Sequence, residues 1–170
     1  GPKSIDSAAV EHRTLLVVVE GACGLKNLVL FGFYFHDAGH RVAEGYGCGI
    51  SSDFPAVVAH LFYIEGLTVA VAHLSLGANS RRSQLAFIGE LLSGHPHAVL
   101  MGDFNCMPDT PEMELLYKRT RLRPPAFCVP TFPSWRPQRA IDHILLSEGL
   151  RGDNARAMPA ANSDHLALAM

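Results

Sequence analysis

The stretch VLMGDFNCMPDT, Val99 to Thr110, sets an apolar run against a glycine, the carboxylate of Asp103 and the carboxamide of Asn105. Two residues apart on an extended chain, Asp103 and Asn105 fall on the same side. There a carboxylate can take a proton from a water that its neighbour helps to orient. Other apolar runs meet similar groups. Glu20 ends TLLVVVE, His73 ends the second half of AVVAHLFYIEGLTVAVAH, Asp164 and His165 open SDHLALAM, and Asp142 lies within RAIDHILLS. Singly, each has an ordinary structural use, because Asp and Asn cap turns and His often satisfies itself in a core. Together they supply the parts of phosphate ester cleavage. A hard divalent ion needs oxygen ligands, which Glu20 and Asp164 offer. Asp103, positioned by Asn105, can activate a water, while His73 and His165 can donate hydrogen bonds to phosphoryl oxygens. Asp142 can hold the His165 ring and raise its basicity. The candidate catalytic residues are therefore His73, Asp103, Asn105, Asp142 and His165, and the candidate metal ligands are Glu20 and Asp164.

These groups need strands to carry them. TLLVVVE reads as a buried strand, and AVVAHLFYIEGLTVAVAHLSL reads as a hairpin around Glu65-Gly66 with His73 at the end of its second strand. NSRRSQLAFIGELLSG predicts a helix with Asn79 and Ser80 as N-cap candidates, apolar Leu85, Ile88, Leu91 and Leu92 at helical spacing, and Gly94 at its close. HAVLMGDFN is the next buried strand, and PEMELLYKR is a helix started by Pro111. From Arg121 to Pro137 the five prolines 124, 125, 130, 133 and 137 predict an irregular loop. RAIDHILLS and SDHLALAM are read as the last strands. No internal repeat, low-complexity tract or linker interrupts them.

The chain has 170 residues, 48% of them hydrophobic and 18% charged, with a formal net charge of −2, which suits one domain (1–170) with a sizeable core. Gly1-Pro2 reads as a tag-cleavage scar and is set apart from the fold. No apolar run reaches a membrane-spanning length of roughly 18 residues, and no signal-peptide pattern is visible, so a soluble, cytoplasmic protein without a transmembrane segment is expected. Cys23, Cys48, Cys106 and Cys128 are scattered without a CxxC pair, which predicts reduced, mostly packed thiols. The near-neutral balance gives no broad basic field for nucleic acid.

HLSLGANSRRSQL, LMGDFNCMPDTPEM, TFPSWRPQRAIDHILLS and SDHLAL, in this order, resemble the endonuclease/exonuclease/phosphatase family, the DNase I-like metal-dependent phosphodiesterases. The resemblance covers roughly Val69 to Met170. It implies an α/β (α+β) fold, a DNase I-like sandwich of two mixed β-sheets flanked by helices, with the site at one edge. It also implies Glu20 and Asp164 near Mg²⁺ or Mn²⁺, Asp103 and Asn105 at the nucleophile, His73 and His165 at the phosphate, and Asp142 behind His165. The N-terminal part departs from the family. The usual first strand with its metal-site Asn is not found, Val19 stands where a Gln is expected, Cys48 replaces an Asn in GYGCGISSDFP, and Ala140 replaces a common Arg.

Two function classes follow. One is a metal-dependent phosphoesterase hydrolysing a phosphodiester or phosphomonoester by activated-water attack, nuclease activity included. The other is a catalytically impaired member acting as a binding or interaction domain. Substrate-binding candidates are Asn79 and Arg82, beside Arg81 in NSRR, and Trp135 and Arg136, beside Arg139 in SWRPQR. Arginine and a flat ring suit nucleic acid, a nucleotide, an inositol phosphate or a phospholipid headgroup alike. LVLFGFYF, Leu28 to Phe35, is apolar enough to be recruited as a strand or an association surface, which predicts at least partial homodimerisation.

Overall fold

Leu67, Val69 and Val71 alternate with Thr68, Ala70 and Ala72, so a strand built from them has two apolar faces and must be covered on both. The computed structural model describes residues 66–159 and 163–170 in full, together with the backbone of three earlier strands, His12–Val19, Leu28–Phe35 and Val58–Ile64. In chain order the elements are β1 (His12–Val19), β2 (Leu28–Phe35), β3 (Val58–Ile64), β4 (Leu67–His73), α1 (Ala78–Leu92), β5 (Ala98–Asp103), α2 (Pro111–Arg119), β6 (Asp142–Leu146), β7 (Arg156–Met158) and β8 (Ala167–Ala169). They form two mixed four-stranded sheets, ordered β2-β1-β8-β7 and β3-β4-β5-β6.

In the second sheet β3 and β4 are antiparallel, as expected of a hairpin, and Gly66 in its turn has φ 85. β4 and β5 are parallel, so the chain must cross over between them, and α1 is that crossover. β6 then adds antiparallel to β5. One face of this sheet, with Ala70, Ala72, Ala98, Leu100 and Leu145, packs against Leu85, Ile88 and Leu92 of α1 and Met113 and Leu116 of α2. The other face, with Leu67, Val69, Val71, Val99, Met101 and Ile144, packs against Leu168 of β8 from the first sheet. Among the described residues the layers are thus helices, sheet, sheet. Each fully buried Leu contributes about 1.5–3 kcal/mol to holding them together.

Several expectations are corrected. The N-cap of α1 is Gly77 and not Asn79 or Ser80, which lie within the helix, and its C-cap is Ser93, one residue before Gly94. Asp142 opens β6 instead of lying inside it, and His165 precedes β8 instead of belonging to it. β6 and β8 are in different sheets, so the two residues meet across the sandwich and not along a shared ladder. β7, only three residues long, was not anticipated. α2 begins at Pro111 as expected, and LVLFGFYF forms β2, antiparallel to β1. Cys106 is buried and Cys128 exposed, while Cys23, Cys48 and GYGCGISSDFP lie outside the described residues.

Gly102, the glycine of GDFN, is fixed by backbone approach. Its φ is 137, and a Cβ there would stand 1.9 Å from the Ala72 carbonyl oxygen on the neighbouring strand. Gly102→Ala is expected to part β4 from β5 where they carry the site, costing at least about 3 kcal/mol. Denaturant unfolding checks this, and a wild-type midpoint would contradict it.

Candidate active site

The rows that face the inter-sheet core change character at one end of the second sheet. Leu67, Val69 and Val71 are followed on the same face of β4 by His73, Val99 and Met101 on β5 by Asp103, and Ile144 on β6 is preceded by Asp142. The register aligns the three polar residues: His73 pairs with Asp103, and Asp103 with Asp142. They form one rung across three adjacent strands, at the end of an apolar core. His165 reaches this rung from the other sheet.

The side chains converge on Asp103, which is 5% exposed. Its Oδ1 accepts the backbone N–H of Asn105 at 2.9 Å. Its Oδ2 lies 3.5 Å from His73 Nε2 and 3.9 Å from His165 Nε2. On the far side of the His165 ring, Nδ1 is 2.7 Å from Asp142 Oδ2. An ionised carboxylate only accepts, so this contact places the proton on Nδ1 and turns Nε2 toward Asp103. Asn105 takes φ 52 and sends its Nδ2 to the Leu74 carbonyl at 2.7 Å, while Leu74 N–H bonds the Asp103 carbonyl at 2.8 Å. Asn105 therefore holds Asp103 through its backbone, in a left-handed turn, and its amide ties the loop after His73 to the loop after Asp103. The expected placement on one side of an extended strand is corrected, because β5 ends at Asp103.

Residues that sequence reasoning passed over support this arrangement. His143 is buried; burial lowers its pKa, and the neutral ring donates Nε2–H to the Cys106 carbonyl at 2.8 Å, pinning the turn after Asn105. The Pro-rich segment is the irregular loop expected, without helix or strand. It closes on itself through Phe132 and Arg139, contains a cis Phe132-Pro133 bond, and grips the segment around His165. Ser134 donates from its N–H to the Asp164 carbonyl at 2.7 Å and from its hydroxyl to the Ser163 carbonyl at 2.8 Å, while the Phe132 ring lies 4.8 Å from that of His165. Its Thr131 hydroxyl donates to Asp142 Oδ2.

Residues 6–165 match the model of the Endonuclease/Exonuclease/phosphatase family. The chain belongs to this family. Its members are phosphoesterases that hydrolyse their substrates. None of the curated proteins matches the chain by sequence. Among solved structures, a functionally unknown conserved protein from Enterococcus faecalis V583 is 22% identical with a TM-score of 0.52, over 60% of this chain and 48% of that one. An endonuclease/exonuclease/phosphatase family protein from Bacteroides thetaiotaomicron is 18% identical with a TM-score of 0.50, over 59% and 47%. A mannosyl-6-phosphatase from Bacteroides thetaiotaomicron VPI-5482 is 18% identical with a TM-score of 0.46, over 59% and 48%. The chain spans about half the length of these structures, and at this identity the likeness is one of fold, the DNase I-like α/β architecture.

Of the remaining site candidates in this family member, Glu20 lies outside the described residues. Asp164 is half-buried beside His165, its carbonyl held by Ser134. Among the described residues, the ligand-type atoms that gather within 4.8 Å belong to Asp103, Asp142 and His165, a group that does not include Asp164. Two carboxylates beside an imidazole suit a divalent ion, although Asp142 Oδ2 already serves Thr131 and His165. Asn79, Arg82, Trp135 and Arg136 are all exposed, Trp135 by 76%. Arg81, read with Arg82 as a phosphate contact, is buried instead. It bonds Glu112 Oε1 through Nε and Nη2 at 3.0 and 2.8 Å, and its Nη1 donates to the Ser75 and Leu76 carbonyls. Burial pushes the Glu112 carboxyl up, but its own backbone N–H and Arg81 outweigh this and hold it below the usual value. Arg81 thus fixes the loop that follows His73. No helix among the described residues is long and apolar enough to cross a membrane.

Proposed function

We propose that this protein is a divalent-metal-dependent phosphoesterase that hydrolyses its ester by attack of a water activated at Asp103. The observation that carries the reading is the convergence of His73 Nε2 and His165 Nε2 on Asp103 Oδ2, at 3.5 and 3.9 Å, with the second ring backed by Asp142. Groups this close can all reach one oxygen of water or phosphate that sits beside them. Asp103 Oδ2 accepts the proton of the attacking water, and Asn105 keeps that carboxylate in place through Oδ1. In their doubly protonated form the imidazoles donate Nε2–H to the phosphoryl oxygens, on which charge grows as the water oxygen adds and before the ester oxygen leaves. The apolar rows behind the rung keep water from the rear of the site, which strengthens each of these interactions.

An Mg²⁺ or Mn²⁺ ion would be held by carboxylate oxygens, with Asp164 and Glu20 as the assigned ligands, and Asp103 and Asp142 are the carboxylates gathered beside His165. When bound, the ion supplies charge neutralisation to the phosphate group. Asn79, Arg82, Trp135 and Arg136 are assigned to the substrate. Their exposure on the loop after Arg121 and at the start of α1 supports contact with an anionic ester carrying a flat or polar group. Homodimerisation through β2, at the end of its sheet among the described residues, belongs to the same reading.

The test is a panel of generic phosphomonoesters and phosphodiesters with Mg²⁺ and with Mn²⁺, the Asp103→Ala protein as blank, and a calorimetric Mn²⁺ titration alongside. Turnover of at least one ester above the blank, dependent on the metal, is expected. No turnover and no Mn²⁺ heat would overturn the reading in favour of a binding domain.

A further inference from the structure

Asp142 Oδ2 receives two donors, His165 Nδ1–H and the hydroxyl of Thr131, in a pocket where Asp142 is 9% and Thr131 0% exposed. Thr131 is itself fixed from both sides. Its N–H bonds the Arg139 carbonyl at 3.0 Å, on the approach to β6, and its carbonyl accepts the Leu166 N–H at 2.8 Å, on the approach to β8. It therefore stands between the strand that carries Asp142 and the segment that carries His165, which come from different sheets and share no ladder. A carboxylate bound only to an imidazole can still rotate about its terminal torsion, which is broad. A second donor from a fixed backbone removes that freedom.

We infer that Thr131 is a positioning residue: its hydroxyl sets the plane of the Asp142 carboxylate and, through it, the aim of His165 Nε2 at Asp103. The backbone bonds of Thr131 do not depend on its side chain, so substitution separates this role from the staple between the sheets. Thr131→Val keeps the shape and removes the donor, and Thr131→Ser restores the donor.

The activity arm of the test rests on the phosphoesterase reading, and a spectroscopic arm does not. Turnover of bis(p-nitrophenyl) phosphate with Mn²⁺ is measured together with the His165 Nδ1–H proton resonance, assigned by its loss in His165→Gln. Thr131→Val is expected to lower kcat by about 10- to 100-fold with little change in KM, and to shift or broaden the resonance. Thr131→Ser is expected to bring both back. Should the valine variant not fold, Thr131→Ala is read by the same measurements. If the wild type does not turn over this diester, the resonance alone decides the role of Thr131, and the phosphoesterase reading is left to the wider ester panel and the Mn²⁺ titration. A resonance unchanged in the valine or alanine variant, or a serine variant as altered as valine, would overturn the inference.

Discussion

Asp103→Asn is expected to lower turnover by about 10²- to 10⁴-fold while leaving the fold intact. The amide can still accept the Asn105 N–H through its oxygen, so the turn after β5 keeps its shape. Its nitrogen then stands where Oδ2 faced His73 and His165, and an amide nitrogen cannot take a proton. The amide has the shape of the carboxylate and keeps the bond to the Asn105 N–H, so the unfolding midpoint should change little. The measurement is kcat at saturating metal on whichever ester the wild type turns over best, with a melting curve beside it. Unchanged turnover would remove Asp103 from the role of base. A collapsed melting temperature would show that the carboxylate holds the turn and not the water.

Much of this rung was legible in the sequence, because a strand covered on both faces announces itself by a continuous apolar run. A His or Asp at the end of such a run marks where the core stops. That logic found His73 and Asp103 from local pattern alone. It also marked Asp142, although it placed that residue inside its strand and not at the start. What local pattern could not show is how β6 and β8 approach one another. Asp142 and His165 belong to separate sheets, and their contact depends on the packing of Ile144 against Leu168 across the core, 24 residues apart in sequence. The order β2-β1-β8-β7, with the last strands beside the first, is non-local in the same way.

The Pro-rich segment is the irregular loop that its prolines predict, but the bonds inside it were not legible. Five prolines exclude regular ladders, and so predicted irregularity, but Thr131, Phe132 and Ser134 build order from side-chain and isolated backbone bonds that leave no periodic trace. Arg81 misled, as a basic residue at the start of a helix after a site histidine. Its partner Glu112 lies 31 residues downstream on α2, and nothing in the spacing of NSRR distinguishes the inward arginine from the outward Arg82.

The second large effect concerns the pair that joins the sheets. Asp142 and His165 are both nearly buried, and each owes its orientation to the other. With Asp142→Ala the ring at position 165 loses its acceptor, so its tautomer and its aim at Asp103 are no longer fixed. With His165→Gln the carboxylate of Asp142 keeps only Thr131 and has nothing to orient. If each change alone costs about 10²-fold in kcat, independent action would make the double variant about 10⁴-fold slower. Joint action leaves it near 10²-fold, a coupling of about 2.7 kcal/mol at 1.36 kcal/mol for each factor of ten. The expected result is the joint one, measured as kcat for wild type, both single variants and the double variant under one saturating metal concentration. Losses that multiply would show that Asp142 and His165 serve the site separately. His165 would then contact the phosphate without help from the carboxylate behind it, and the 2.7 Å contact across the sandwich would be a matter of folding alone.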